Sequence, residues 1–212
     1  MGKWNAINIG LKKIKSNAVI MLAGDLRISK NSLKKLVETF KKHRGVVIGR
    51  IKADKDSPIF QFSKHIWNLH HLLCRRYPKG TEMMMFENRI KRIDKTAVDE
   101  VFIEYLFRKI GRAVYYVEDA VGYTSSPKSL KHFFNQRKRS FIGHLELKIK
   151  YKYAPMSFSL IVVLKIYFKY FLDNLSEPIE VFRILIVGFI EFFARLVGLF
   201  EYLFLKKVPY KW

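Results

Sequence analysis

The chain has 212 residues, half of them hydrophobic and 15% aromatic, with 40 Lys and Arg against 18 Asp and Glu for a formal net charge of +22. That size suits one domain, or one domain with an appendage, and the apolar content excludes a disordered basic tail. The charge predicts attraction to polyanions: nucleic acid, an anionic membrane surface or phosphate-bearing ligands. The lone cysteine, Cys74, excludes an internal disulfide and a Cys-based zinc finger. "MGKWNAINIGLKKIK" has no continuous apolar stretch after its basic residues, so no signal peptide is expected there.

Up to about residue 150, short apolar runs alternate with amphipathic stretches, the pattern of βα units. "NAVIML" reads as a buried strand that runs through Ala23 and Gly24 to a single acid, Asp25. "NSLKKLVETFKKHRG" predicts a helix carrying Leu33, Leu36, Val37 and Phe40 on one face, with Gly45 as its stop. "VVIGRI" is the next strand. "IFQFSKHIWNLHHLL" follows as a helix with Phe62, Ile66, Leu69 and Leu73 on one side, and "EMMMF" as a short strand or loop. "TAVDEVFIEYLFRKIG" predicts a helix with Thr96 as N-cap and Gly111 beyond its end. "AVYYVEDAVGY" reads as a strand or a pair of strands. "SSPKSLKHFFNQRKRSFIGHLEL" predicts a helix with Ser126 as N-cap and Pro127 in the first turn.

The character changes after residue 150. "APMSFSLIVVLKIYFKYFL" and "PIEVFRILIVGFIEFFARLVGLFEYLFL" are long and apolar, yet neither is a clean uncharged span of about twenty residues. At about 100° per residue, Lys165 and Lys169 share a face, and Glu180, Arg183, Glu191, Arg195 and Glu201 fall within an arc of roughly 120°. The rest of that surface is Ile, Leu, Val and Phe. This is the pattern of a helix lying in the membrane interface or packed in a helical hairpin; a helix pair closing a core is the alternative. Between Lys128 and Lys152 basic residues face a single acid, Glu146, which favours an anionic leaflet and the cytoplasmic side. Nucleic acid could use the same charge, but no zinc spacing, RNA-recognition signature or basic-zipper heptad specifies it.

Three polar sets could carry chemistry. Asp25 follows its strand, and ligands of open α/β sheets bind at strand carboxyl ends, although acids in such turns are often only caps. Asp99 and Glu100 open a helix, where the backbone dipole already favours negative charge; the functional alternative is a general base at a cleft mouth. In "NQRKRSFIGH", Gln136 and Arg139 share a helix face that Ser140 and Gly143 continue, with His144 close by. Arg suits phosphate recognition, though a solvated face is the plainer reading. Trp67 could stack on a sugar or lipid, against core packing as the default. His70, His71 and Cys74 do not complete a metal site, because no second cluster supplies the remaining ligands.

In this order the pieces resemble the inverting family-2 glycosyltransferases of the GT-A fold. "GKWNAINIGLKKIKSNAVIMLAGDLRISKNSLKKLVETF" is similar to that family's Gly-Lys-x-x-Ala-Leu-Asn segment and the strand ending in its Asp-x-Asp motif. "AVDEVFIEYLFRKIG" resembles its Glu-Asp base motif and "QRKRS" its Gln-x-x-Arg-Trp motif. "WNLHH", "TAVDE", "QRKR" and "GHL" resemble the membrane-associated prokaryotic branch. The resemblance implies an α/β chain in which residues 1–150 form the C-terminal part of a GT-A domain and residues 151–212 a membrane-associated helical region. It implies an enzyme that passes a sugar from a nucleotide-sugar donor to a lipid-linked or polysaccharide acceptor, on the cytoplasmic side of a membrane. In the implied roles, Asp25 binds Mg²⁺ or Mn²⁺, Glu100 with Asp99 is the base, Lys3, Asn8, Gln136 and Arg139 serve the donor diphosphate, and Trp67 and His144 lie on the acceptor side.

The departures from the family are equally specific. Ala23 stands at the first acid of the metal motif and Ser140 at the tryptophan after the arginine. The resemblance also implies roughly two further βα units, carrying the nucleotide-base pocket, ahead of "MGKWNAIN". A separate polypeptide is expected to supply that half; a fragment that binds membrane or a partner without catalysis is the alternative, and a basic nucleic-acid-binding protein the less favoured one.

Overall fold

The computed structural model describes residues 2–125 and 127–210. Among them, α1 (Lys3–Lys13) precedes β1 (Ala18–Leu22), β2 (Leu26–Ile28), α2 (Ser32–His43) and β3 (Val46–Ala53). Then come α3 (Phe60–Arg76), β4 (Met83–Glu87), α4 (Asp99–Lys109) and β5 (Val114–Thr124). The chain continues through α5 (Leu130–Tyr151), a single 3-10 turn, α6 (Leu160–Leu172) and α7 (Pro178–Phe204). Contacts divide it into two compact units. One holds Met1–Ile51, Pro78–Thr124 and Pro209–Trp212; the other holds Lys52–Tyr77 and Ser125–Val208. α3 and α5 pack their apolar sides against the C-terminal helices, which places them in that second unit.

The first unit is built on a mixed five-stranded sheet in the order β1-β4-β3-β5-β2. "EMMMF" is an interior strand here: β4 pairs antiparallel with both β1 and β3, and all five of its residues are buried. Strands covered on both faces need a continuous apolar run rather than alternation, and Val46, Val47 and Ile48 of β3 are likewise fully buried. Leu36 and Phe40 of α2 and Ile103 and Phe107 of α4 complete this core, with the Phe86 and Phe107 rings 5.7 Å apart. "AVYYVEDAVGY" forms one long strand, and the short β2 pairs with its far end.

Local chemistry departs from the sequence expectation in three places. The helix α2 ends at Arg44, itself left-handed with φ 50°, rather than at Gly45. Gly45 is instead a close approach, since a Cβ there would lie 2.4 Å from the Ala113 carbonyl oxygen. The cap of α5 is Ser129, whose hydroxyl accepts from the His132 amide at 3.2 Å; Ser126 lies outside the described residues. Thr96 stands before the α4 cap Val98 and accepts its amide at 3.2 Å.

The second unit gathers α3, α5, α6 and α7, with Ile59, Phe133 and Val187 at its centre and Phe62, Ile66 and Ile190 around them. The polar arc of α7 faces protein rather than water. Glu180 pairs with Lys64 of α3 at 2.6 Å, Glu191 with Arg137 of α5 at 2.7 Å, and Glu201 with Lys138 of α5 at 2.5 Å. No helix among the described residues is long and apolar enough to cross a membrane.

Candidate active site

Asp99 and Glu100 form the first turn of α4, where unpaired amides and the helix dipole favour negative charge. The loop "PKGTE" fixes that turn against the start of β4. Gly80 leaves no room for a side chain, since a Cβ would lie 2.3 Å from the Glu100 carbonyl oxygen. The Gly80 amide donates to Glu104 Oε2 at 2.7 Å; Arg108 binds Glu104 Oε1 at 2.8 Å and the Pro78 carbonyl at 2.9 Å. Glu104 is therefore a buried clamp that ties the body of α4 to the loop leading into the sheet.

Lys3, the first residue of α1, reaches both acids: its Nζ lies 3.1 Å from Asp99 Oδ2 and donates to Glu100 Oε1. Burial alone would lower the lysine's pKa, but the two carboxylates overcome that and hold it above the ordinary lysine range. Asp99 is pushed up to about 6, first by burial and then by the charge of Glu100, with Lys3 opposing. The acids are unequal in access, with side-chain exposures of 4% for Asp99 and 16% for Glu100. Glu100 is the more accessible of the two.

The same α1 helix is tied down at Asn8. Its side-chain amide donates to the Ile93 carbonyl at 2.9 Å, and its carbonyl accepts the Ile93 amide at 2.8 Å. Buried at 7% exposure, Asn8 is occupied in holding α1 to the loop before α4.

Asp25 sits exposed in the turn between β1 and β2. Two residues earlier the ladder continues, with the Ala23 amide donating to the Glu82 carbonyl at 3.0 Å. Glu82 thus stands across from the position where the resemblance places a missing acid. Its Oε2 is shut from solvent and has no hydrogen-bond partner among the described residues. Its carboxyl is raised to about 7, chiefly by burial and then by Glu100 and Asp25, while Lys3 and a Thr124 hydrogen bond pull the other way. The sequence reading passed over Glu82. The available signal was an acid directly ahead of a fully apolar run, but its meaning depended on strand register.

The remaining candidates belong to the second unit. Gln136 and Arg139 are half-buried on α5, His144 is buried on the same helix, and Trp67 is half-buried on α3, edge-on to His70 at 5.6 Å. Among the described residues no three His, Cys, Asp or Glu side chains are grouped to hold a metal. A cation carried in on a diphosphate needs only one or two carboxylates from protein. Asp25 supplies one exposed carboxylate here, and its charge is felt by the buried carboxyl of Glu82.

A sequence profile described as glycosyl transferase family 2 matches residues 1–111, which spans α1 to the end of α4 and every acid of this site. The chain belongs to glycosyl transferase family 2. No curated relative matches it by sequence. Among solved structures, it resembles the mannosyltransferase PcManGT from Pyrobaculum calidifontis in complex with GDP-Man and Mn²⁺, with TM-score 0.51 and 16% identity. The match covers 99% of this chain and 61% of that one, so this chain spans less than two thirds of the enzyme it matches. At that identity the likeness establishes the fold, an α/β architecture of GT-A type, for this family member.

Proposed function

We propose that this glycosyltransferase moves a sugar from a nucleotide-sugar donor to a hydroxyl of a lipid-linked or polysaccharide acceptor at the cytoplasmic face of a membrane, with inversion. The observation that carries the reading is the Lys3–Asp99–Glu100 cluster, which leaves one carboxylate accessible at a helix N-terminus beside Glu82 and Asp25. Glu100 takes the proton of the acceptor hydroxyl while the acceptor oxygen bonds to the anomeric carbon. The bond from that carbon to the diphosphate breaks on the opposite side, and the diphosphate leaves with the electron pair. Lys3 offsets the mutual repulsion of Asp99 and Glu100 and keeps them in one place. Mg²⁺ or Mn²⁺, held by Asp25, would neutralise charge on the leaving diphosphate. Gln136 and Arg139 serve the diphosphate and Trp67 and His144 the acceptor in this reading.

The nucleotide-base pocket is assigned to a further βα segment, on this polypeptide or another. The outer strand supports this, since β1 ends the sheet while Ile20 and Leu22 remain 38% and 37% exposed. An open apolar edge of that kind calls for a covering strand.

The test is a transfer assay with a panel of nucleotide sugars and Mn²⁺, run with and without the preceding βα segment. Glu100→Gln should lower kcat by about 10²- to 10⁴-fold with nucleotide affinity kept. Asp25→Ala should weaken metal-dependent nucleotide binding instead. If Glu100→Gln transfers at the parent rate, the assignment of the base is wrong. If the reconstituted protein transfers nothing with any donor, the chain is a binding fragment, the reading that Ala23 favours.

A further inference from the structure

Every exposed residue of α7 is apolar, from Pro178 and Ile179 at its start to Phe204 at its end. Phe182, Phe189 and Phe204 are 64%, 63% and 71% exposed. The preceding helix α6 has no buried residue and adds Leu160, Ile161, Leu164 and Phe168 to the exposed apolar surface. The charges of α7 point the other way, into the unit. Glu180, Glu191 and Glu201 are paired with Lys64, Arg137 and Lys138, and Arg183 and Arg195 are paired along the helix with Glu180 and Glu191. A helix facing water has the opposite polarity, with charge outside and apolar residues against the core.

An apolar face this continuous marks a membrane or a partner, and charge decides between them. Lys165 and Lys169 are exposed between the apolar residues of α6; Lys206 and Lys207 are exposed just past α7, and Lys148 and Lys150 near the end of α5. Lysines so placed lay their stems on apolar surface and lift their ammonium groups to anionic headgroups. A two-fold contact between copies of this chain would instead set like charges against each other in a molecule of net charge +22.

Orientation follows from the inward stripe. Its ion pairs run from Glu180 to Glu201, nearly the whole of α7, and a helix standing across the bilayer would carry them through the hydrocarbon. Lying flat, the helix keeps them within protein and gives its whole outer face to lipid. We propose that α6 and α7 form a monotopic anchor, lying along an anionic leaflet with the Phe-rich face at the acyl boundary and the exposed lysines among the headgroups. This deepens the membrane part of the function proposed above. It is measured without donor or acceptor, so loss of transfer with vesicle binding intact counts only against the catalytic reading.

The experiment is flotation of the full chain with phosphatidylcholine vesicles, alone or with about 30% phosphatidylglycerol. The chain should float with the anionic vesicles and bind neutral ones about tenfold less. Phe189→Glu with Phe192→Glu should lower partition about tenfold or more. Lys165→Glu with Lys169→Glu, which alters exposed positions only, should weaken anionic binding and leave circular dichroism unchanged. Nitroxide labels at Phe182→Cys, Phe192→Cys and Phe204→Cys, with the native Cys74 buried, should report one common shallow depth. Absence of flotation, binding that both double variants retain, label depths that increase along the helix, or burial of the labels in a vesicle-free dimer would each overturn the proposal.

Discussion

At the residue scale, burial decides how tightly two acids of the cluster hold their protons. Asp99 and Glu82 are both raised, to about 6 and about 7, with burial as the first cause in each case. Among the described residues Glu82 Oε2 has no hydrogen-bond partner, and the pull of Lys3 is outweighed by burial and by Glu100, so its ionisation is a cost to the folded state. Below about pH 4.5 the folded and unfolded chains both keep the Glu82 proton, and the residue is neutral towards stability. Between about 4.5 and about 7 the unfolded chain has lost the proton and the folded chain has kept it, so stability falls as pH rises. Glu82→Gln removes that dependence. With chelator present, the variant should match the parent at pH 4 and exceed it by about 3 kcal/mol at pH 8, read by denaturant unfolding. A parent and variant with parallel pH profiles would show that Glu82 is solvated. None of this was legible before the fold, because only the register of β1 on β4 brings Glu82 opposite Ala23. The Asp99–Glu100 pair was legible, since a helix start can be read from its own sequence.

At the element scale, periodicity identified which residues of α7 share a face and left open what that face meets. An arc of about 120° of charge is written into the sequence whether water, lipid or protein lies against it. The structure answers with Arg137, Lys138 and Lys64. Likewise α1 escaped the sequence reading because "KWNAINIGLKK" includes two asparagines and a glycine, all weak helix formers, and tertiary bonds from Lys3 and Asn8 secure it. The α5–α7 joint makes a pH prediction. Burial would raise the Glu191 carboxyl, but Arg137 and Arg195 overcome it and hold it down at about 2. Its stabilisation is therefore complete above the ordinary carboxylate range and is lost as pH falls from about 4.5 through about 2. Glu191→Gln should destabilise the chain by about 3 kcal/mol at pH 7, with the gap closing toward pH 2. Unfolding in a mild detergent, followed by circular dichroism, measures it. A gap that stays constant with pH would mean that shape, and not charge, holds α5 to α7.

At the scale of the whole molecule, the open question is what completes the sheet. The Ala23 amide bonds to Glu82 and the Asn88 amide to the Asn17 carbonyl, which sets the alternation along β1. Val19 and Met21 fall in phase with those bonds and face β4; Ile20 and Leu22 fall out of phase, and their amides face the outer edge. The outer α7 surface is apolar with its backbone bonds closed within the helix, but β1 is an edge strand whose outward backbone meets no further strand among the described residues, a combination suited to another strand and not to a bilayer. In this chain by itself, hydrogen exchange at Ile20 and Leu22 should be fast while Val19 and Met21 are protected. Adding the βα segment assigned to the nucleotide-base pocket should slow Ile20 and Leu22 by about 100-fold or more, as global opening replaces edge exposure as the route to exchange. The same addition should leave the α7 amides unchanged, because their bonds are closed within the helix. Ile20 and Leu22 amides already protected in the lone chain would mean the edge is covered from within, and the segment would then have to bind the nucleotide without extending this sheet.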